Sequence, residues 1–183
     1  DITNSYSSPS VAENNPTTIL VKVSHVAARL DFSQFDVTLK GFEGNPTVVF
    51  DEAKFVNLQQ NGKIVEGDAS VNVKDGAFLN RSNRIGTKWT DMGTAYGYAN
   101  QYKQDSEMNT ALYVKFTVDG RTFEKTYPIN PAGITKEVDH NGIKGGYLYD
   151  IKVRWTITPD WGDSTIEFYT RDWVHNSIPE VVL

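Results

Sequence analysis

The three histidines, His25, His140 and His175, have the side chains best suited to bind a transition metal. Zinc sites commonly place two such ligands a few residues apart, as in the H-x-x-x-H spacing of a helix. Here the histidines lie far apart in the chain, and none belongs to an H-x-x-x-H or H-x-E pattern. The sequence therefore has no metal-site signature, and we expect no bound metal.

Two polar stretches resemble fragments of calcium-binding loops: Asp139-His140-Asn141-Gly142 and Asp160-Trp161-Gly162-Asp163. A calcium loop supplies oxygen ligands at regular spacing, and neither stretch does so. Asn, Asp and Gly are also the residues that tight turns prefer because of their backbone conformations. We therefore predict that both stretches are polar turns.

No group of residues predicts a catalytic centre. The acidic pair Asp51-Glu52 could do acid–base chemistry, but neighbouring residues of a strand point to opposite faces. The Gly145-Gly146 pair precedes a predicted strand, whereas a phosphate cradle needs a helix N-terminus. The chain has no cysteine, which excludes thiol nucleophiles, thiolate zinc sites and disulfides. We expect no catalytic residue, no cofactor and no enzymatic activity.

The composition is that of a folded domain without affinity for nucleic acid. Of 183 residues, 39% are hydrophobic and 12% aromatic, which is enough for a sizeable core. The formal net charge is −5 and no basic stripe is present, which argues against nucleic-acid binding. No apolar stretch is long enough to span a membrane, and no signal segment precedes the domain. Because the chain begins at Asp1, we interpret it as a processed or truncated product.

Alternating apolar and polar residues predict short strands along most of the chain. The clearest is 147–158, and 111–129 contains the hairpin signal Asp119-Gly120. Further candidates are 18–32, 34–40, 47–50 and 53–60. No segment has a convincing helical period, so we predict an all-β sandwich with few short helices. Residues 1–16 are predicted to be a linker or N-terminal arm, and 17–171 the sandwich.

Residues 64–110 show no steady period and are rich in Gly, Asn, Asp and Ser, so we predict a long loop-rich insertion that could contain two short strands. Its aromatic residues have two interpretations. Trp89, Tyr96 and Tyr98 could form a platform for a sugar, because exposed aromatic rings stack on pyranoses. The alternative is that these rings anchor the insertion to the sandwich.

The C-terminal segment 172–183 is unusually apolar. Its apolar side chains include Trp173, Ile178, Val181, Val182 and Leu183. Their full burial would contribute on the order of 7–15 kcal/mol, while ordering the backbone costs about 1–2 kcal/mol per residue. These sums are comparable, so the segment is ordered only where a preformed groove and strand hydrogen bonds are added. That groove could belong to its own sheet or to another molecule, and Pro179 indicates an edge position.

Five stretches, in this order, resemble the C-terminal domain of fimbrillins, the pilin subunits of Bacteroidales type V pili. The chain continues from its first strand into His25-Val26-Ala27-Ala28-Arg29. The other four stretches are DEAKFVNLQQNGKI, ALYVKFTVDGRTFEKTYPIN, NGIKGGYLYDIKVRWTI and EFYTRDWVHNS. No single motif is specific, but together they extend over nearly all of the chain from about residue 17.

The resemblance implies a transthyretin-like β-sandwich with a structural role on the cell surface, in a fimbrium attached to the outer membrane. Members of the family assemble head to tail by donating a C-terminal strand to the next subunit, which is strand addition. It implies that the donor strand is 172–183, with other fimbrillin subunits as partners, and host glycans or proteins as possible adhesion targets. The N-terminal domain and lipid anchor of the family have no counterpart here. The alternative function is a surface module that binds carbohydrate or host ligands through Trp89, Tyr96 and Tyr98.

Overall fold

The computed structural model describes residues 26–62, 73–76, 78–100, 107–130 and 142–172. These residues form strands and turns without any helix, and hence without a helix that could cross a membrane. The strands are β1 (Ala27–Leu39), β2 (Val48–Val56), β3 (Leu58–Gln59), β4 (Val73–Lys74), β5 (Phe78–Ile85), β6 (Lys88–Tyr98), β7 (Ala111–Val118), β8 (Arg121–Pro128), β9 (Tyr147–Ile157) and β10 (Gly162–Asp172).

The strands form two sheets. One has six strands in the order β10-β9-β1-β6-β3-β4, and the other has four in the order β5-β2-β7-β8. Within the six-stranded sheet, β1 and β9 are parallel, and the remaining pairs of both sheets are antiparallel. The all-β sandwich predicted from the sequence is confirmed.

The alternation of apolar and polar residues correctly predicted the two clearest elements, β9 and the β7–β8 hairpin. In β9, Ile151, Val153 and Trp155 are buried, while Arg154 between them is exposed. In the β7–β8 hairpin, Asp119 and Gly120 have φ angles of 45° and 81°. Two consecutive left-handed residues are what the tightest hairpin turn requires, and Asp-Gly meets that requirement at low steric cost.

An aromatic cluster joins the two sheets. The Phe116 ring of β7 lies 5.3 Å from the Phe35 ring of β1 and 5.1 Å from the Trp155 ring of β9, measured between centroids. The Phe50 ring of β2 lies 5.3 Å from Phe35 and 5.7 Å from Trp89. All five side chains are buried, so the core between the sheets is predominantly aromatic at this level.

Two predicted strands are halves of one longer strand. We predicted a break between 18–32 and 34–40, but β1 runs from Ala27 to Leu39 with a bulge between Phe32 and Gln34. The extra residue shifts the alternation, so that Phe32 and Phe35 both face the core although they are three positions apart. Residues 17–25 lie outside the described part of the chain.

Within the predicted insertion, residues 78–98 contain two strands that are longer than the two short strands allowed for, with 8 and 11 residues. They form β5 and β6, and β6 pairs with β1 inside the six-stranded sheet. Its alternation is hidden because Asp91 and Gly93 have φ angles of 52° and 142° opposite the β1 bulge. At Gly97 a Cβ atom would lie 3.0 Å from Leu58 Cδ2, so close packing favours glycine in this strand. The remaining positions of 64–110 are described only in part.

Candidate functional site

One side of the sandwich is closed by the chain itself. At Asn57, whose φ is 55°, the chain passes from β2 of one sheet to β3 of the other. The β5–β6 turn makes a second crossing, where the Gly86 N–H donates to Val48 O (3.1 Å). Backbone hydrogen bonds therefore connect the two sheets on this side.

The opposite side is formed by β8 and β10, the last strands of their sheets. Among the described residues, each has a hydrogen-bonded strand neighbour on one flank, β7 and β9 respectively. The two strands approach each other near the β9–β10 turn, where the Arg121 guanidinium donates to Pro159 O (3.2 Å). We define this side as the open side and consider it the candidate interaction site.

The β8 edge has features that oppose pairing with another strand. Arg121 and Lys125 pair with the buried residues Val118 and Val114, which places both cations on the core-facing side of an edge strand. The Arg121 guanidinium lies 4.9 Å from the Phe123 ring centroid, and Lys125 Nζ lies 5.3 Å from that of Tyr127. Inward-facing charges are a known protection against edge-to-edge association.

On the other face of β8, a hydrogen bond between side chains connects it to β7. The Tyr113 hydroxyl donates to Glu124 Oε2 (2.8 Å). Burial of the hydroxyl, followed by this hydrogen bond, raises the pKa of Tyr113 to about 12. The strand ends at Pro128, which has no N–H to offer a further strand.

The β10 edge differs from the β8 edge, because it has neither inward-facing cations nor a terminal proline. It pairs with β9 over its whole length of 11 residues without a register shift. Its sequence, GDSTIEFYTRD, contains neither Lys nor Pro. The positions of β10 that pair with Tyr149, Ile151, Val153, Trp155 and Ile157 are uncharged, whereas Arg171 pairs with the buried Leu148; the uncharged positions are Gly162, Ser164, Ile166, Phe168 and Thr170. A long, regular edge of this kind is a template for another strand.

A buried cluster of polar side chains lies at the end of the sandwich where β10 ends, and it holds the chain segments there in place. Asn100 Nδ2 donates to Asn57 O (3.1 Å), Met108 O (3.0 Å) and Thr110 Oγ1 (3.0 Å). The Thr110 hydroxyl donates in turn to Asn57 O (2.8 Å). A buried Asn with several partners holds three chain segments in one arrangement.

Both ends of the described chain lie at this polar end. The Gly146 N–H donates to Ala27 O (2.9 Å), and Asp172 pairs with Tyr147. Close by, the Lys144 N–H donates to the Tyr149 hydroxyl (2.7 Å), whose pKa is raised above its ordinary value by burial. The C-terminal segment therefore begins beside an ordered part of the sandwich.

The structure describes little of the predicted donor segment. Asp172, its first residue, is the last residue of β10. Residues 173–183, with Trp173, Ile178, Val181, Val182 and Leu183, lie outside the described residues, and their role stays a prediction.

The predicted sugar platform is not assembled. Trp89 is 5% exposed and packs on Phe35 and Phe50, whereas Tyr96 is 57% exposed and Tyr98 is half-buried. In the register of the sheet, Trp89 pairs with Phe35 and Tyr96 with Arg29, so the two rings lie far apart along β6. The alternative interpretation, that these rings anchor their segment, fits Trp89.

The candidate metal positions give no site among the described residues. No group of three or more His, Cys, Asp or Glu side chains there could hold a metal ion. Of the stretch 160–163, Asp160 and Trp161 lie in the β9–β10 turn, where the Thr158 N–H donates to Trp161 O (2.8 Å), and Gly162 and Asp163 begin β10. That turn leaves Trp161 53% exposed, which the sequence analysis missed. The three histidines and 139–141 lie outside the described part of the chain, and Gly145-Gly146 forms the predicted turn before β9.

Comparison with known proteins shows the fold. A solved structure of a "putative cell adhesion protein" from Parabacteroides distasonis is 20% identical, with a TM-score of 0.60, over 82% of this chain and 52% of its own. The chain therefore shares the fold of that protein. It spans about half the length of that protein. This likeness agrees with the family resemblance noted in the sequence.

Other solved structures are similar at lower scores. The tip fimbrial protein Mfa3 from Porphyromonas gingivalis is 13% identical over 81% of this chain and 52% of its own, with a TM-score of 0.44. A fimbrial protein from Bacteroides vulgatus is 11% identical over 82% and 55%, with a TM-score of 0.40. No protein-family model and no curated protein matches the sequence.

Proposed function

We propose that this fimbrillin-like chain is a structural subunit of a surface fimbrium that supports cell adhesion, and that it has no catalytic role. Its partners are other subunits of the same kind, and the assembled fimbrium stands outside the cell at the outer membrane. Host glycans or proteins would be bound by the assembled fimbrium. The fold shared with a protein whose name refers to cell adhesion supports this proposal.

The observation on which the proposal mainly depends is the position of β10 as the last strand of its sheet among the described residues, from which the chain continues directly into an apolar segment. Besides Val174 and Pro179, residues 173–183 contain the five apolar side chains of the proposed donor: Trp173, Ile178, Val181, Val182 and Leu183. Donated to another subunit, this segment gains strand hydrogen bonds and side-chain pockets together. A donor at one place and an acceptor at another make a heterologous contact, which extends into a filament when it does not close.

Deletion of residues 173–183 tests the proposal. In the full-length protein we expect the deletion to abolish polymers, seen by electron microscopy and light scattering, while the monomer keeps its unfolding midpoint in urea. The buried cluster formed by the described residues includes none of the deleted positions, and we therefore expect the monomer to stay folded. Polymers that persist, or a monomer that unfolds, would contradict strand donation by this segment.

A matched pair of variants separates apolar pocket-filling from general effects of changing the segment. Val181→Ser together with Leu183→Ser removes two proposed pocket-filling side chains, and we expect polymer formation to be strongly reduced. Asn176→Ala together with Ser177→Ala changes two polar residues of the same segment, and we expect polymers at the wild-type level.

A further inference from the structure

Four connections between strands form the end of the sandwich at which β10 begins, opposite the polar end. They are 40–47 between β1 and β2, 86–87 between β5 and β6, 119–120 between β7 and β8, and 158–161 between β9 and β10. Backbone hydrogen bonds hold them in place: the Lys40 N–H donates to Ile157 O (2.9 Å), and the Asp119 N–H donates to Thr47 O (3.0 Å). We call this end the turn end. Loops gathered at one end of a rigid sandwich are a common position for binding residues.

Trp161 is 53% exposed in the β9–β10 turn. The backbone that carries its ring is fixed, because the Trp161 N–H donates to the Thr158 hydroxyl (3.2 Å) and Trp161 O accepts from the Thr158 N–H (2.8 Å). The chain is also tightly packed after it, since a Cβ atom at Gly162 would lie 2.6 Å from Ile157 Cδ1 and 3.1 Å from Phe123 Cε1. A single exposed apolar residue needs no function by itself, so its surroundings decide whether it binds a ligand.

We propose that the Trp161 indole stacks on a neutral pyranose, and that the turn end is a binding site for neutral glycans. The inference rests on the proposed adhesive function and gives it a position and a ligand class. An indole has a flat apolar face and one N–H donor. A pyranose has a complementary face of C–H groups with hydroxyls around its rim. The site is distinct from the platform predicted at Trp89, whose ring is buried.

Hydrogen-bonding side chains surround the Trp161 turn. Asp160 precedes the ring in the chain and Asp163 follows two residues later, and both are exposed. The Arg121 guanidinium donates to Pro159 O (3.2 Å), which holds it beside the same turn. Carboxylates accept hydrogen bonds from sugar hydroxyls, and a guanidinium has five N–H donors to offer them. A stacking ring and polar groups of both kinds therefore meet at one corner of the sandwich.

The size of the apolar surface favours a sugar over a protein partner. The other large apolar side chains that are exposed among the described residues are Ile85, Tyr96 and Met108. Ile85 lies on the closed side, and Tyr96 and Met108 lie toward the polar end. A stable protein interface buries roughly 800 Å² per partner around an apolar core, which is more than one ring provides. A single ring with charged residues around it matches the size of a pyranose.

The charges of the turn end favour neutral over acidic sugars. The charged residues of the four connections, and of the strand positions that directly follow them, are Lys40, Glu43, Lys88, Asp119, Arg121 and Asp160. Three are basic and three are acidic, and Asp163 adds a further negative charge. The surface therefore has no excess of positive charge to attract the carboxylate of an acidic sugar such as sialic acid.

A glycan array tests the site on the full-length protein, with lactose, cellobiose, mannobiose and sialyllactose as probes. We expect binding to at least one neutral disaccharide, and a weaker signal from sialyllactose than from lactose, which it contains. Trp161→Ala is expected to weaken binding of the best neutral probe by about tenfold or more. Its urea midpoint should stay that of the wild type, because half of the ring lies outside the core. Trp161→Tyr keeps a flat ring and is expected to retain most of the binding.

Ile85→Ala is the matched control, since Ile85 is 75% exposed at the end of β5, beside another turn of the same end. We expect its glycan binding to equal that of the wild type. Three results would overturn the inference: no binding of any neutral probe by the wild type, binding by Trp161→Ala at the wild-type level, or a preference for sialyllactose over lactose. An equal loss in Ile85→Ala and Trp161→Ala would also contradict a site centred on Trp161.

The outcomes separate this inference from the proposed function. If deletion of 173–183 abolishes polymers but the wild type binds none of the neutral probes, the fimbrial function stands and the turn-end site is wrong. If polymers survive the deletion while glycan binding depends on Trp161, the site stands and the fimbrial function fails.

Discussion

Replacing Phe116 with alanine is expected to lower the free energy of unfolding by about 3–5 kcal/mol. Phe116 is fully buried and its ring contacts Phe35 and Trp155 of the opposite sheet and Phe123 of the neighbouring strand. Truncation removes these contacts and leaves a cavity between the two sheets. Urea unfolding followed by tryptophan fluorescence measures the change.

Lys115→Ala is the matched control for Phe116→Ala. Lys115 is the preceding residue of β7, on the opposite face and half-buried, and we expect a change within about 0.5 kcal/mol. If both variants unfold at the same urea concentration, the ring contacts between the sheets do not stabilise the fold, and the aromatic core described above is contradicted.

Replacing Trp89 with alanine is the second change with a large expected effect, again about 3–5 kcal/mol of unfolding free energy. Trp89 is buried against Phe35 and Phe50. A sugar-platform role predicts the opposite result, with glycan binding lost and stability retained. Urea unfolding and a glycan array, applied to the same variant, distinguish the two roles.

Tyr96→Ala provides the comparison on the same strand. Tyr96 is 57% exposed, so its removal is expected to cost less than about 1 kcal/mol. A Trp89→Ala protein as stable as Tyr96→Ala, and with a lost glycan signal, would restore the platform interpretation.

The elements that the sequence predicted well are those in which one face is buried along the whole strand. In β9, buried residues such as Val153 and Trp155 alternate with the exposed Arg154, and alternation of this kind is visible without coordinates. The Asp119-Gly120 turn was equally clear, because few dipeptides adopt two left-handed conformations.

The strands that were missed break the period-two rule for local reasons. The β1 bulge shifts the alternation after Phe32, and β6 contains Asp91 and Gly93 at positive φ opposite that bulge. Glycines and aspartates that normally indicate loops are here the residues that let an internal strand bend. The pairing of β6 with β1 stabilises it, and pairing partners are not encoded locally.

The apolar C-terminal segment was recognisable from composition, and the resemblance to fimbrillins suggested its role. The open side could not be predicted from the sequence, because β9 lies between β8 and β10 in the chain. The two strands form one side of the sandwich only because each is the last strand of its sheet. The protective function of Arg121 and Lys125 also depends on knowing that β8 is an edge strand and which side faces the core. Both facts are known only when the order of the strands in the sheets is known.

Hydrogen exchange measured by mass spectrometry, on monomer and assembled polymer of the same protein, tests strand donation most directly. Backbone amides in a new strand pair become protected, and amides in a pre-existing pair do not change. We predict that the amides of 173–183 exchange rapidly in the monomer and slowly in the polymer. Equal exchange of this segment in both states would contradict the account.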